Sequence, residues 1–361
     1  MSSSFAFSGQ PLRVGVLGCA NIARQFIRDV RGSTRLVVTT VASRQADNAQ
    51  TFARENQVER ALGSYEALLA DPDVDAVYLP LPNSLHAPWA IAAARAGKHV
   101  LCEKPLALNL HEARQMAEAA AQHGVVLLES YPYAHQPQTQ ALLGLVRDGS
   151  IGEVVSVSAS FGFSAGNPQT NIRFQPSLGG GALLDAGSYP VSLIRLVMGE
   201  APRRVLAMAS YASSDVDMRT AALLEYADGR HAMLSCAMDT ANHRHAVIAG
   251  RKGTIETEYL NHASDRPEGD AHGYLPSLLR IRRGTLQSLP FEAVSTPSGS
   301  GFRFAAEAFA DLVARHDLAA AQQAARASID IAATLDAIAL SARTGQAVSY
   351  THLTLPTSDL V

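Results

Sequence analysis

Short apolar runs alternate with helix-like segments along the first 130 residues. Five of the runs are predicted strands: Leu12–Leu17, Leu36–Ala42, Ala76–Leu79, His99–Glu103 and residues 125–128. Each has the length of a strand rather than of a helix. The helix-like segments between them cover residues 20–30, 46–55, 64–69, 88–97 and 110–123. This alternation predicts an α/β fold, a doubly wound parallel sheet with right-handed crossovers.

The pattern changes after residue 130. Strand-like alternation occurs at residues 153–163, 205–211, 220–226 and 230–238, and Asp228-Gly229 between the last two is a two-residue hairpin signal. Long strands joined by hairpins predict an α+β domain with a mostly antiparallel, open-faced sheet. We expect it to lie against the open edge of the first sheet, with a cleft between them. Helices at 302–314 and 326–343 should return to pack on the domains.

Residues 348–361 read like a translated sequencing-library adapter. We therefore expect native C-terminal residues to be missing after about Ala347 and the residues that follow to be a non-native tail. The predicted boundaries are residues 1–130 for the first domain, 131–347 for the second and 348–361 for the tail.

Composition narrows the function classes. The chain has 361 residues, of which 47% are hydrophobic and 17% charged, with a formal net charge of −3. The absence of a basic run argues against a nucleic-acid partner, and no apolar run has the length of a membrane helix. The first residues lack the regions of a signal peptide, and Cys19, Cys102 and Cys236 lie far apart. We expect a cytoplasmic protein.

The first strand runs directly into a glycine turn. Aligned to the dinucleotide-binding fingerprint G-x-G-x-x-G, the sequence has Gly18, Ala20 and Ala23 in the three slots. Gly18 keeps the tight turn, and alanine is the smallest substitute where the backbone approaches a pyrophosphate. An ordinary strand-to-helix turn would have the same pattern.

Ser43 and Arg44 follow the second strand, where an NAD site usually has an acidic residue for the ribose 2′-hydroxyl. An acidic residue would repel a 2′-phosphate, whereas serine and arginine can hydrogen-bond and pair with it. If a dinucleotide binds, these residues favour NADP over NAD. The alternative is an ordinary loop arginine.

Glu103-Lys104-Pro105 ends the strand that begins at His99. Pro105 has no N–H to continue a ladder, so Lys104 lies at the sheet edge where open α/β sheets bind ligands. A lysine there can be a general acid, a general base or a phosphate clamp. The alternative is a surface lysine whose stem covers apolar surface. The Lys104–Pro105 bond is a candidate for the cis form.

A glycine loop at residues 179–181 precedes a predicted helix that carries Asp185 and Tyr189. Four residues apart, the two share one helix face, and a carboxylate and a phenol in a cleft can handle a proton together. The alternative is an aspartate that stabilises the helix N-terminus above a half-buried tyrosine. Arg173 could reach a substrate or only anchor the loop. His243 and His245 have no third ligand at suitable spacing, so we predict no metal.

Three motifs together resemble the glucose–fructose oxidoreductase, inositol dehydrogenase and MocA family. They are G-x-A-x-I-A from Gly18, P-N-x-x-H ending at His86, and E-K-P around Lys104. Their order and spacing carry the resemblance. It implies an NADP-binding Rossmann domain over residues 1–130 and a substrate-binding and oligomerisation domain over 131–347. It also implies a homodimer or higher homo-oligomer paired through the open face of the second sheet.

The resemblance implies catalytic roles as well. Lys104 belongs to the catalytic group beside the nicotinamide, and Asp185 and Tyr189 match the branch of glucose–fructose oxidoreductase, dihydrodiol dehydrogenases and NADP-linked xylose dehydrogenases. Inositol dehydrogenases have histidine in place of the tyrosine. Tyr189 would exchange a proton with the substrate, and Lys104 would favour its phenolate and orient the reacting oxygen. A nearby cation is needed because an ordinary tyrosine, with a pKa near ~10, is a poor base at neutral pH. Asp185 would hold sugar hydroxyls or the tyrosine.

The predicted site residues fall into two groups. The cofactor-binding residues are Gly18, Ala20, Asn21, Ile22, Ser43, Arg44, Pro80, Asn83, His86, Glu103 and Lys104. The substrate-binding residues are Lys104, Tyr131, Arg173, Asp185 and Tyr189.

We therefore expect an NADP(H)-dependent oxidoreductase that moves a hydride between nicotinamide and a carbinol or carbonyl carbon of a sugar or cyclic diol. One alternative is a regulator that binds NAD(P) without turnover, and another is a relative that cleaves glycosides through a retained nicotinamide. The intact set of Lys104, Asp185 and Tyr189 argues against a pure regulator. The sequence does not identify the substrate.

Overall fold

The structure is a computed structural model that describes residues 9–349. The predictions for the first residues and for positions 350–361 lie outside that range. None of the helices within residues 9–349 has the length and apolar character needed to cross a bilayer. The described residues form two compact units: residues 9–106, 114–132 and 300–326 make the first, and residues 107–113, 133–299 and 327–349 the second.

Strands and helices alternate up to residue 130, as predicted. In chain order they are β1 (Leu12–Leu17), α1 (Asn21–Val30), β2 (Leu36–Ala42), α2 (Ala46–Glu55), β3 (Arg60–Leu62), α3 (Tyr65–Leu69), β4 (Ala76–Leu79), α4 (His86–Arg95), β5 (His99–Glu103), α5 (Leu110–Gln122) and β6 (Leu127–Ser130).

Strands dominate the remainder of the described chain. The elements are α6 (Pro137–Arg147), β7 (Val154–Ser164), α7 (Ser188–Met198), β8 (Arg204–Tyr211), β9 (Asp217–Glu225), β10 (His231–Ala237), β11 (Asp239–Gly250), β12 (Gly253–Thr257), β13 (His262–Ala263), β14 (Leu279–Arg283), β15 (Glu292–Ala293), β16 (Gly299–Ser300), α8 (Gly301–Ala314), α9 (Leu318–Thr344) and β17 (Val348–Ser349).

The first unit is built on a six-stranded parallel sheet in the order β3-β2-β1-β4-β5-β6. This is the doubly wound order, in which the direction of winding reverses between β1 and β4. The predicted fold class is therefore confirmed for this unit. Because all the strands are parallel, their carboxyl ends lie at one edge, which is where the predicted cofactor residues follow β1, β2, β4 and β5.

Helix α1 shows why the sequence folds this way locally. Its buried residues Ala23, Phe26, Ile27 and Val30 recur at the spacing of one helix face. Phe26 stacks on Tyr78 of β4 with ring centroids 3.8 Å apart. Helix α8, as predicted, returns to this unit and adds buried residues to the same core: Phe302, Ala306, Phe309 and Ala310.

Strand β6 lies two residues later than predicted. Val125 donates its N–H to the end of α5 at Ala120 (3.0 Å), whereas Leu127 to Ser130 pair with β5. Glu129 therefore lies within the strand rather than after it. Its carboxylate accepts the Leu106 N–H at 2.8 Å. Apolar periodicity alone could not reveal that a buried carboxylate belongs to a strand.

The second unit is built on a nine-stranded sheet in the order β15-β14-β12-β11-β7-β10-β9-β8-β17. All its pairs are antiparallel except β7 with β10, which confirms the predicted mostly antiparallel sheet. Helix α7 packs on β7 and β10. Val348 and Ser349, the first two residues of the predicted tail, form the edge strand β17 and pair with β8.

Candidate active site

Gly18 makes the turn between β1 and α1 with a φ of +110°. This φ favours glycine, and a Cβ at this position would also lie 2.9 Å from Leu81 Cδ2, the movable end of a side chain. Helix α1 then starts after Ala20, whose side chain has no atom to cap it, and its first turn contains no acidic residue. The N–H groups at the start of α1 are therefore suited to a pyrophosphate.

Arg44 is exposed just after β2, and it lies near enough to the Tyr65 phenol for its charge to act on that group. Burial raises the pKa of Tyr65, and the charge of Arg44 opposes that rise. The Tyr65 hydroxyl is also 3.7 Å from the position that a Cβ on Gly18 would occupy. The structure thus brings Gly18, Arg44 and Tyr65 together. Tyr65 escaped the sequence analysis because it begins the short helix α3, which no cofactor motif marks.

His86 is completely buried at the start of α4. Its Nδ1 lies 2.8 Å from the carbonyl oxygen of Pro105, and its Nε2 lies 2.9 Å from that of Leu81. Burial lowers the pKa of His86, the nearby charge of Lys104 adds to this effect, and the two carbonyls oppose it. The two ring nitrogens thus face carbonyl oxygens of two backbone segments, the loop after β4 and the turn after β5. Asn83, predicted with it, starts a short 3₁₀ turn.

Lys104 follows β5 and is partly exposed, and its peptide bond to Pro105 is cis, as the sequence allowed. The side chain of Glu103 points into the unit instead. It is 7% exposed, and its carboxylate accepts a hydrogen bond from the Tyr78 hydroxyl at 2.8 Å. Burial raises the pKa of Glu103, while the charge of Lys104 lowers it. Tyr131, which follows β6, is 5% exposed.

The glycine loop of the second unit is packed against backbone and a carboxylate. A Cβ on Gly180 would lie 2.4 Å from the Arg173 carbonyl oxygen, and one on Gly181 would lie 2.2 Å from Asp217 Oδ1. Asp217 also accepts the Leu183 N–H at 2.8 Å through its other oxygen. Burial raises the pKa of Asp217, whereas its hydrogen bonds from Thr220 and Leu183 lower it. Asp217, which the sequence analysis missed, therefore packs against Gly181 of the loop and hydrogen-bonds Leu183 in the segment that follows.

Asp185 lies in a π-helical turn, Leu183–Gly187, rather than in a regular α-helix. Such turns place side chains differently from an α-helix and are frequent at functional sites. The Asp185 carboxylate accepts a hydrogen bond from Arg173 Nε at 2.5 Å. Arg173 anchors the loop, as one of its two alternatives predicted, because its carbonyl oxygen accepts the Gly181 N–H, and its side chain pairs with Asp185. A contact with substrate stays a prediction.

Tyr189 is in the first turn of α7 and is 5% exposed. Its hydroxyl oxygen accepts a hydrogen bond from Asn261 Nδ2 at 3.0 Å. Phe161 of β7 meets its ring edge to face, with centroids 5.3 Å apart. The first unit therefore carries Lys104 of the predicted set, and the second carries Arg173, Asp185 and Tyr189. Within residues 9–349 no group of three His, Cys, Asp or Glu side chains is placed to hold a metal ion.

Comparison with known proteins agrees with this architecture. Residues 12–131 match the model of an oxidoreductase family with an NAD-binding Rossmann fold, GFO/IDH/MocA, and residues 139–256 match the C-terminal domain of the same family. The chain is 33% identical over 334 residues to D-xylose 1-dehydrogenase (NADP(+)) 2 of Haloferax volcanii, covering 92% of this chain and 98% of that protein. It is 31% identical over 349 residues to trans-1,2-dihydrobenzene-1,2-diol dehydrogenase of Danio rerio, covering 94% and 98%.

A solved structure gives the same result. A 3-ketoreductase from Actinomadura kijaniata, in complex with NADP and TDP-benzene, matches with a TM-score of 0.80 and 32% identity over 92% of this chain and 98% of that chain. These matches confirm the resemblance seen in the three motifs. The chain belongs to the GFO/IDH/MocA family of oxidoreductases.

Proposed function

We propose that the protein is an NADP(H)-dependent oxidoreductase that acts on a carbinol or carbonyl carbon of a sugar or cyclic diol. The observation that carries the choice of cofactor is Arg44, exposed at the end of β2 beside Tyr65 and near the Gly18 turn. A cation at this strand end suits a 2′-phosphate. The similarity to an NADP-dependent xylose dehydrogenase, a dihydrodiol dehydrogenase and an NADP-bound ketoreductase supports both the cofactor and the substrate class.

Each polar residue then has a role in the reaction. Lys104 orients the reacting oxygen and supports negative charge on it. Tyr189 exchanges the hydroxyl proton through its phenol oxygen. Asp185, held by Arg173, accepts hydrogen bonds from neighbouring substrate hydroxyls. The bound cofactor's chemistry is the acceptance or return of a hydride, so oxidation removes a hydride from the carbon and a proton from its hydroxyl.

A substrate panel tests this proposal. Purified protein is given NADP⁺ with aldoses and cyclic diols, and in the reverse direction NADPH with keto-sugars, including nucleotide-linked ones, while reduced-nicotinamide absorbance is followed. We expect turnover with at least one class. Lys104→Ala should abolish turnover while NADPH still binds, whereas Lys252→Ala, at an exposed turn, should change neither turnover nor binding. Tight NADPH binding without turnover of any member would overturn the proposal in favour of a regulator.

We also propose that the protein is a homo-oligomer paired through the outer face of the nine-stranded sheet. Leu206, Leu223 and Met233 lie side by side in register across β8, β9 and β10, and Met208 continues the patch. These four side chains are 45% to 73% exposed. A second copy is the fitting occupant because charges of both signs border the patch, such as Arg204 and Glu225, and two copies related by a two-fold axis can place opposite charges against each other.

The oligomeric state is measurable by light scattering after size exclusion. We expect a dimer or larger assembly for the unaltered protein and a monomer for a Met208→Lys and Leu223→Lys double variant. Leu286→Lys, at an exposed leucine in the connection between β14 and β15, is the matched control and should leave the assembly unchanged. A monomeric unaltered protein would refute this part of the proposal.

We also propose a cytoplasmic location, since Cys19, Cys102 and Cys236 are all free thiols.

A further inference from the structure

The phenol oxygen of Tyr189 is an acceptor before any substrate arrives. Asn261 Nδ2, which can only donate, lies 3.0 Å from it. The hydrogen of the Tyr189 hydroxyl must therefore be directed away from Asn261. The direction of this hydrogen bond decides where the tyrosine presents its proton.

Arg244 on β11 sets the orientation of the Asn261 amide. Its Nη1 lies 3.2 Å from Asn261 Oδ1 and 3.1 Å from the Tyr259 carbonyl oxygen. A guanidinium only donates, so the amide atom that faces it must be the oxygen. The amide NH₂ group is consequently turned toward Tyr189. The backbone of Asn261 is held as well, because Gln136 Nε2 donates to its carbonyl oxygen at 2.8 Å.

The same guanidinium fixes the ring of Tyr189. Its central carbon lies 4.3 Å from the centroid of the Tyr189 ring and 4.0 Å from that of Phe161. A cation over an aromatic face is attracted to it and restrains its rotation. Arg244 thus acts on Tyr189 twice, through the ring directly and through the hydroxyl by way of Asn261.

Two neighbouring tyrosines, Tyr133 beside Tyr189 and Tyr259 beside Tyr133, have hydroxyl groups with other hydrogen-bond partners. The Tyr133 hydroxyl is 2.6 Å from Ser192 Oγ, and the Tyr259 hydroxyl donates to the Ser160 carbonyl oxygen at 2.8 Å. Burial raises the pKa of both phenols. Tyr189 differs from them because its oxygen receives a hydrogen bond from an amide whose orientation is imposed.

We infer that Arg244 and Asn261 are positioning residues that direct the proton of Tyr189 toward the substrate oxygen. This inference rests on the proposed function of Tyr189 as the group that exchanges a proton with substrate. The sequence offered no signal for it, since Asn261 begins a segment rich in Gly, Pro and Ser, and Arg244 lies between two histidines on an ordinary strand.

Asn261→Asp is the decisive variant. One carboxylate oxygen still accepts from Arg244, so shape and anchoring are kept, but the other oxygen now faces the phenol and takes its hydrogen. We expect kcat to fall about tenfold to a hundredfold, part of the general acid–base contribution, with KM within about twofold. Asn167→Asp, in an exposed loop, is the matched control and should be silent. Thermal unfolding checks that both variants fold, and Asn261→Ala replaces Asn261→Asp if Asn261→Asp does not fold.

The outcomes separate the two proposals. If the protein turns over substrate and Tyr189→Phe is inactive but Asn261→Asp retains full kcat, the positioning inference is wrong and the proposed function stands. If Tyr189→Phe is as active as the unaltered protein, the assigned role of Tyr189 fails.

A measurement on the protein without substrate tests the inference if no turnover is found. With isotope-labelled tyrosine rings, the NMR signal of Tyr189 is identified by its loss in Tyr189→Phe. We expect Asn261→Asp, which keeps Arg244 over the ring, to shift the signal of the phenol carbon, because a carboxylate oxygen replaces the amide NH₂ group that donates to the Tyr189 oxygen. An unshifted signal would contradict the inference even in the absence of any turnover.

Discussion

The imidazole of His86 lies between the carbonyl oxygens of Pro105 and Leu81, at 2.8 and 2.9 Å. The ring therefore joins the loop after β4 to the turn that carries Lys104. A neutral imidazole has one N–H and can donate to only one of the two oxygens at a time. The arrangement combines full burial, which favours the neutral ring, with two acceptors, which favour the charged one.

Removal of this ring should loosen the Lys104 turn. In His86→Ala, the carbonyl oxygen that accepts the ring N–H loses its donor, and we expect the free energy of unfolding to drop by about 1–3 kcal/mol. Turnover should fall as well, because Lys104 loses a support one residue away. Thermal unfolding and steady-state kinetics measure the two effects. His111→Ala, at an exposed position on α5, is the control. Equal behaviour of the two variants would show that His86 does not support the turn.

The burial of His86 also predicts a pH dependence of stability. Its pKa in the folded protein is lowered, so below its ordinary value near ~6.5 the unfolded chain binds a proton that the folded protein does not. The free energy of unfolding should therefore decrease as pH falls through this range. His86→Gln cannot take up that proton, so the difference in Tm between it and the unaltered protein should narrow between about pH 7.5 and pH 5. A constant difference would contradict the assignment to His86.

Arg44 is predicted to determine the preference for the phosphorylated cofactor. Loss of a charged hydrogen bond to a 2′-phosphate costs about 1.5–3 kcal/mol, roughly tenfold to a hundredfold in affinity. Arg44→Ala should weaken NADPH binding by this factor and change NADH binding little, as measured by calorimetric titration of both. Arg54→Ala, exposed on α2, is the control. Equal weakening of both cofactors would mean that Arg44 supports the loop rather than reads the phosphate.

The sequence was sufficient for what periodicity and local turn chemistry determine. Apolar runs ending at Gly18 and Lys104 predicted the parallel sheet, and hairpin signals such as Asp228-Gly229 predicted the antiparallel one. Contacts between positions far apart in the chain have no such local pattern. Asn261 reaches Tyr189 across 72 positions.

Some side chains were also placed differently from what their motifs suggest. Glu103 sits in a ligand-binding motif, yet it turns inward to the Tyr78 hydroxyl. Strand alternation does not reveal which of two neighbouring polar residues faces the interior when a buried hydroxyl can satisfy one of them. His86 likewise belongs to a loop motif, but its ring nitrogens meet backbone carbonyls that only the folded chain brings together.

The glycine loop before Asp185 provides a test of close packing in the second unit. A methyl group at Gly180 would lie 2.4 Å from the Arg173 carbonyl oxygen and 3.0 Å from that of Gln175. Both neighbours are backbone atoms, which cannot rotate away as a side chain can. Gly180→Ala should therefore displace the loop, lower the free energy of unfolding by about 1–3 kcal/mol and reduce turnover through the Asp185–Arg173 pair.

Gly144→Ala is the matched control for this substitution. Gly144 lies in helix α6, and a Cβ there would meet no atom within 4 Å. Alanine at this position should stabilise the protein by up to about 1 kcal/mol, because it favours the helical conformation more than glycine does. Opposite shifts of Tm are thus expected from the same chemical change at two glycines, while NADPH affinity stays unchanged in both. If Gly180→Ala were as stable and active as Gly144→Ala, the loop would accommodate a methyl group despite the short distances to the backbone atoms, and the prediction would be wrong.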